Sequence, residues 1–122
     1  MNDKTVLVVD DDEDIVRSLG IRFRQKGYKV FGAQDANQAV MQAHKLMPDL
    51  LVLDIGMPAG SGFTVMQNLS NSMHTQTIPV IMLTALDDEE ARDKTKNLGA
   101  LGYFVKPYNF DELLFAVNEI LD

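Results

Sequence analysis

The chain has 122 residues, a length that suits one domain with a single hydrophobic core. Hydrophobic residues make up 46% and charged residues 24%, a composition that excludes intrinsic disorder. The net charge is −7, which opposes direct binding to nucleic acid or to an anionic membrane surface. Cysteine is absent, which excludes disulfide bonds and thiolate zinc sites. Because no apolar run suits a signal peptide or a membrane span, we expect a cytoplasmic protein.

Five short apolar runs predict five β-strands. The runs occupy residues 5–9, 28–33, 50–53, 79–83 and 101–105. Four of them lack polar alternation, which is typical of parallel strands whose two faces are both covered by helices.

Segments with helical spacing of apolar residues lie between these runs. In the first segment, Ile15, Leu19 and Phe23 recur four residues apart, and Gly27 marks the end of the helix. Pro48 stops the second helix. The last four helices are predicted at residues 36–47, 62–69, 87–98 and 110–121. The five strand–helix units predict an α/β fold with a doubly wound parallel sheet and helices on both faces.

Polar residues that need an explanation follow four of the predicted strands. They are Asp10 to Asp12 after strand 1, Asp54 after strand 3, Thr84 at the end of strand 4, and Lys106 with Pro107 after strand 5. The carboxyl ends of parallel strands share one edge, where ligands bind in such sheets. We therefore expect these residues to lie close together.

Three consecutive carboxylates at residues 10–12 repel one another unless a cation lies among them. Mg²⁺ binds through one or two carboxylates together with phosphate oxygens, so Asp10, Asp11 and Asp54 suit it. A carboxylate beside Mg²⁺ can attack phosphorus, and Asp54 is placed for that role. Lys106 and the Thr84 hydroxyl can then contact phosphoryl oxygens.

Each residue also has a simpler interpretation when it is considered alone. Asp11 or Asp12 can cap the first helix, Thr84 can cap the fourth, Asp54 can lie in a turn, and Lys106 can be a surface lysine. Packing or surface positions are expected for four further residues, Tyr103, Tyr108, His44 and His74. The simpler interpretations do not explain why the polar residues collect at one edge.

Two motif-based alternatives are excluded by the residues themselves. Asp10, Asp12 and Asp14 imitate the start of a calcium-binding EF-hand loop, but Ile15 and Ile21 occupy the positions of its glycine and closing glutamate. Neither a P-loop nor a dinucleotide-binding glycine motif occurs.

The sequence resembles the receiver domain of two-component response regulators, the family of the single-domain chemotaxis receiver. The resemblance covers essentially the whole chain, and its blocks are VLVVDDDED at 6–14, PDLLVLDIGMPAGSG at 48–62, PVIMLTA at 79–85 and GALGYFVKPY at 99–108. It implies one receiver domain over residues 1–122 with a flavodoxin-like fold and strand order 2-1-3-4-5. It also implies that Asp54 accepts a phosphoryl group from a phosphohistidine of a sensor histidine kinase or a phosphotransfer protein.

Roles for further residues follow from the same resemblance. Asp11 would bind Mg²⁺, or Mn²⁺, directly, Asp10 mainly through water, and Asp54 and the backbone carbonyl of Gly56 would complete the metal site. Thr84, Ala85 and Lys106 would contact the phosphoryl group, and Tyr103 matches the aromatic switch position. A cis peptide bond is expected between Lys106 and Pro107.

The resemblance implies a signalling switch that catalyses only its own phosphorylation and dephosphorylation. Its output surface would be helix 4, strand 5 and helix 5, which would contact a downstream effector domain or protein, in a monomer or a phosphorylation-dependent dimer. A free-standing receiver and a part of a longer regulator or hybrid kinase both fit.

Two other functions remain open. One is an aspartyl-phosphate phosphatase of the haloacid-dehalogenase-like type, because Asp10 and Asp12 match its D-x-D motif. The other is a pseudo-receiver that binds partners without phosphorylation. The three functions differ in the nucleophile, which would be Asp54, Asp10 or none.

Overall fold

Strands and helices alternate along the chain in the computed structural model, which describes residues 3–56 and 62–122. The strands are β1 Thr5–Val9, β2 Lys29–Ala33, β3 Leu50–Leu53, β4 Val80–Thr84 and β5 Gly102–Val105. The helices are α1 Glu13–Gln25, α2 Ala36–Leu46, α3 Gly62–Ser70, α4 Glu89–Asn97 and α5 Phe110–Leu121. All strands pair in parallel in the order β2-β1-β3-β4-β5, which confirms the predicted fold class.

Two hydrophobic clusters cover the two faces of the sheet. Val6 and Val8 belong to one cluster with residues of α1 and α5, whereas Leu7 and Val9 belong to the other with residues of α2, α3 and α4. Successive strand residues point to opposite faces, so an uninterrupted apolar strand supplies both clusters. The central strands β3 and β4 are buried throughout, but β5 is half-buried because it lies at the edge of the sheet.

Side-chain caps fix where four of the helices begin. The capping residues are Asp12 for α1, Asp35 for α2, Asp88 for α4 and Asn109 for α5. Each accepts a hydrogen bond from a backbone N–H in the first turn, which satisfies a group that the helix itself leaves unpaired. Asp88 thus takes the capping role for α4 that the sequence also allowed for Thr84.

Gly62 allows α3 to begin close to the end of β3. A Cβ atom at this position would lie 2.5 Å from the backbone oxygen of Asp54, a distance that no side chain tolerates. The Gly62 N–H donates to the backbone oxygen of Ile55 at 2.7 Å. Residues 57–61, within the sequence block at 48–62, lie outside the described residues. Across the described ranges, none of the helices combines the length and apolar character needed to cross a membrane.

Candidate functional site

Three carboxylates meet at the carboxyl edge of the sheet. Asp10 follows β1 and is 2% exposed, Asp54 follows β3 and is 6% exposed, and Asp11 is exposed. One carboxylate oxygen from each lies within 4.8 Å of the others. The two central strands hold Asp10 and Asp54 rigidly, since the Asp54 N–H also donates to the backbone oxygen of Val9 at 2.9 Å.

Lys106 brings one positive charge to this cluster from the end of β5. Its Nζ lies 2.7 Å from Oδ2 of Asp10 and 3.6 Å from Oδ2 of Asp54. Its backbone N–H donates to the backbone oxygen of Thr84 at 2.8 Å, which anchors the end of β5 to β4. The peptide bond between Lys106 and Pro107 is cis, as expected.

Burial and charge shift the pKa values of this pair in the same direction. Burial raises the pKa of Asp10, while Lys106 and the N–H of Asp12 act against the rise, and the charge of Asp54 adds to it. Burial would lower the pKa of Lys106, but its contacts with Asp10 and Asp54 outweigh burial, and the pKa is raised. Lys106 therefore stays positively charged. Its single charge is fewer than the three carboxylates of the cluster, so the cluster lacks positive charge.

The cluster fits a hard divalent cation. Oδ2 of Asp10 is the buried side-chain oxygen that lacks a hydrogen bond within residues 3–56 and 62–122, although the Lys106 ammonium lies close to it. The Lys106 ammonium at 2.7 Å pairs with this oxygen, but three carboxylates then face one positive charge, an imbalance that a divalent cation would offset. Oxygen donors from several carboxylates suit Mg²⁺ or Mn²⁺ rather than a softer metal. The buried acidic cluster is therefore able to bind a metal.

Gly56 lies at the rim of the cluster and is exposed. Its N–H points to Oδ1 of Asp54 at 3.3 Å. This contact turns the segment after β3 back toward the carboxylate of Asp54. The metal-binding role of the Gly56 carbonyl stays a prediction.

A path of hydrogen bonds leads from the cluster edge to β5. Thr84 is 1% exposed, and its Oγ1 accepts from the N–H of Leu86 at 3.3 Å. The hydroxyl of Tyr103 donates to the carbonyl oxygen of the same Leu86 at 2.6 Å. Ala85, which lies between Thr84 and Leu86 in the chain, is exposed. One peptide segment therefore touches both the buried threonine and the tyrosine of the edge strand.

Asp12 does not join the carboxylate cluster. Its side chain accepts from the N–H of Asp14 at 2.9 Å and caps α1, while its own N–H donates to Oδ1 of Asp10. The helix-cap interpretation is correct for this residue. A phosphatase that uses Asp10 and Asp12 as its D-x-D pair would need to release this cap.

Some contacts between distant segments carry no signal in the sequence. The rings of His44 and His74 lie parallel within 5°, with centroids 6.1 Å apart, although the sequence predicts only surface positions for them. The guanidinium of Arg92 lies 4.7 Å from the ring centroid of Tyr103, and the ammonium of Lys94 lies 4.3 Å from that of Phe63. Each pair joins residues of different elements, and a polar helix pattern does not specify such partners.

A family model described as response regulator receiver domain matches residues 6–118. The DNA-binding dual master transcriptional regulator RpaA of Synechocystis is 37% identical over 116 residues, which is 95% of this chain. The phosphate regulon transcriptional regulatory protein PhoB of Escherichia coli is 34% identical over 118 residues, which is 97% of it. The structure of Vibrio cholerae chemotaxis protein CheY4 superposes with a TM-score of 0.91 at 30% identity, covering 98% of this chain and all of that one.

The aligned regions set the extent of these similarities. The chain spans 48% of the length of RpaA and 52% of the length of PhoB, about half of each curated relative. With CheY4 the match is nearly complete in both directions. The similarity therefore concerns one domain of the longer relatives.

Proposed function

The chain belongs to the response regulator receiver family, and from this premise we propose that Asp54 accepts a phosphoryl group in a reaction that requires Mg²⁺. Receiver domains are the signalling switches of two-component systems and interact with histidine kinases and effector domains. The observation that carries the proposal is the group of three clustered carboxylates with one lysine ammonium at the carboxyl edge of the sheet.

The proposed reaction is a transfer from a phosphohistidine of a sensor kinase or a phosphotransfer protein. A carboxylate oxygen of Asp54 forms a bond to phosphorus while the bond from phosphorus to the donor imidazole nitrogen breaks, and that nitrogen keeps the electron pair. Asp10, Asp11, Asp54 and the Gly56 carbonyl would hold Mg²⁺ or Mn²⁺, which neutralises charge on the phosphoryl oxygens. The same site, with water as the attacking group, would catalyse dephosphorylation.

Lys106 and Thr84 complete the proposed site from β5 and β4. The Lys106 ammonium already lies between two carboxylates and can turn to a phosphoryl oxygen once the charge on Asp54 is changed. Thr84 Oγ1 accepts a hydrogen bond in the present structure, so its own hydrogen is available to donate to the phosphoryl group. Ala85 follows Thr84 and is placed with it in the phosphoryl-binding segment.

The signal would pass from Thr84 to the face formed by α4, β5 and α5. Movement of Thr84 displaces Leu86, whose carbonyl oxygen accepts from Tyr103, and the tyrosine therefore changes its position as the aromatic switch residue. Exposed apolar side chains lie in or next to these elements, Phe115 in α5 at 66% and Leu101 immediately before β5 at 62% exposure, which suits contact with an effector domain or protein. The net charge of −7 opposes direct contact of this domain with nucleic acid.

The experiment that tests this function is phosphorylation by acetyl phosphate, followed by intact mass. Wild type should gain one phosphoryl group with Mg²⁺ or Mn²⁺ and none with a chelator. Asp54→Asn should gain none, whereas Asp93→Asn, which removes an exposed carboxylate on α4, should behave as wild type.

The same measurement separates the alternatives. Labelling of Asp54→Asn but not of Asp10→Asn would identify the phosphatase-type nucleophile. If no protein is labelled while an established receiver is labelled in parallel, a partner-binding role without phosphorylation replaces the present proposal.

A further inference from the structure

Helix α4 is held to the domain by few buried side chains. Ala91 and Thr95 are the buried residues of the helix, and both side chains are small. Two cations on the helix instead lie over aromatic rings, Arg92 over Tyr103 and Lys94 over Phe63. The position of α4 therefore depends on contacts of long charged side chains more than on apolar burial.

Arg92 makes two contacts at once. Its guanidinium carbon lies 4.7 Å from the centroid of the Tyr103 ring, and its Nη2 lies 3.3 Å from Oδ1 of Asp87. Asp87 immediately follows Leu86, whose carbonyl oxygen accepts the hydrogen bond from the Tyr103 hydroxyl. The guanidinium, the ring and the segment after β4 thus form a closed set of contacts.

This arrangement limits where the tyrosine ring can lie. The ring is only half-buried, and its hydroxyl donates to the carbonyl oxygen of Leu86. Without a contact on its face, a half-buried ring on an edge strand is able to turn to other rotamers. Arg92 lies over the ring in addition to the hydrophobic cluster against which Tyr103 packs, and Asp87 pairs with the guanidinium at that place.

We propose that Arg92 is a positioning residue for Tyr103, holding the ring where its hydroxyl reaches Leu86, and that it thereby sets how strongly an event at Asp54 is transmitted to β5. The second part of this proposal rests on the proposed function. An arginine is required for the full effect because its planar guanidinium can lie over the ring while it pairs with a carboxylate, whereas a lysine offers a single point charge.

The test uses the intact protein with tyrosine labelled by ¹³C at the ring ε positions. The three tyrosines give three sets of signals, and Tyr103→Phe identifies those of Tyr103. A soluble paramagnetic chelate reports the exposure of each ring. In Arg92→Ala, the population with Tyr103 in its present position should fall about two- to five-fold relative to other positions, as expected for loss of an exposed cation–π contact.

Two further variants distinguish positioning from a general loosening of the helix. Lys94→Ala removes a cation–π contact of the same helix with Phe63 and should change the signals of Tyr103 less than Arg92→Ala does. In Arg92→Lys, the position of the Tyr103 signals and the exposure of the ring should lie between those of wild type and those of Arg92→Ala. Equal exposure of Tyr103 in Arg92→Ala and wild type, or equal changes in Arg92→Ala and Lys94→Ala, would overturn the proposal.

Transmission is measured on the same samples after treatment with acetyl phosphate and Mg²⁺. Intact mass should show equal phosphorylation of wild type and Arg92→Ala, while the phosphorylation-induced shift of the Tyr103 signals should be smaller in the variant, because part of its ring population has already left the present position. An undiminished shift would overturn the transmission step. If neither protein is phosphorylated, the proposed function fails, and the exposure of Tyr103 still decides whether Arg92 positions it.

Discussion

The carboxylate cluster and the α4–β5 region are built in opposite ways. Asp10 and Asp54 extend from central strands whose residues are almost entirely inaccessible, and both carboxylates are themselves buried. In the α4–β5 region, all four residues of β5 are half-buried and α4 buries only two small side chains. The groups that would perform chemistry are held rigidly, whereas the groups that would report it are held weakly.

The difference has a physical reason. Phosphoryl transfer requires reacting groups at fixed positions, which a packed parallel sheet provides. A change of conformation requires two arrangements of similar free energy, which a helix with few apolar contacts provides. The three predictions below test this contrast.

The largest effect on the free energy of unfolding is expected from a cavity in β3, the central strand that leads to Asp54. Leu51→Ala in β3 removes a fully buried side chain and should lower the free energy of unfolding by about 2–5 kcal/mol. Leu101→Ala, at a position immediately before β5 that is 62% exposed, should change it by less than about 0.5 kcal/mol. Urea denaturation of the two variants measures both values, and similar losses would refute the contrast.

Asp10→Asn is expected to raise the free energy of unfolding, by less than Leu51→Ala lowers it. Burial raises the pKa of Asp10, so the folded state holds this proton more tightly than the unfolded state does. The stability that this group contributes is full below its ordinary pKa of 3.8 and is lost as the pH rises through the raised value. At neutral pH and without metal, Asp10→Asn should therefore be more stable than wild type, because the penalty for burying this carboxylate is removed.

Urea denaturation across the acid-to-neutral range checks this sign. The advantage of Asp10→Asn over wild type should grow as the pH rises and disappear near the ordinary pKa. Asp93→Asn is the control for loss of one exposed charge and should show no such trend. Excess Mg²⁺ should raise the thermal midpoint of wild type more than that of Asp10→Asn. A variant that is less stable than wild type without metal would contradict the burial argument.

The smallest effect is expected at the contact between Lys94 and Phe63. Lys94→Ala should lower the free energy of unfolding by about 0.5–1 kcal/mol, because an exposed cation–π contact is lost. Lys96→Ala, which removes a charge from an exposed position of the same helix, should cost less. Amide hydrogen exchange across α4 should rise in Lys94→Ala and stay near wild type in the control. Equal exchange in the two variants would show that the ring contact does not anchor α4.

The sequence by itself determined the order of the elements and the edge at which the polar residues collect. Uninterrupted apolar runs specify central parallel strands, and the residue after each such strand must lie at the carboxyl edge. Asp10, Asp54, Thr84 and Lys106 could be placed there for that reason. Both bounds of β1 and β3 are as predicted, whereas β2, β4 and β5 each begin one residue later than predicted.

Only the tertiary structure decided which side chains pair. Lys106 lies closer to Asp10 than to Asp54, Asp12 caps α1, and Arg92 covers Tyr103. These outcomes depend on rotamers and on the packing of elements far apart in the chain, and many side-chain pairings satisfy the same apolar pattern. The period of that pattern specifies which face of an element is buried, whereas the polar contacts are chosen only once the elements have packed.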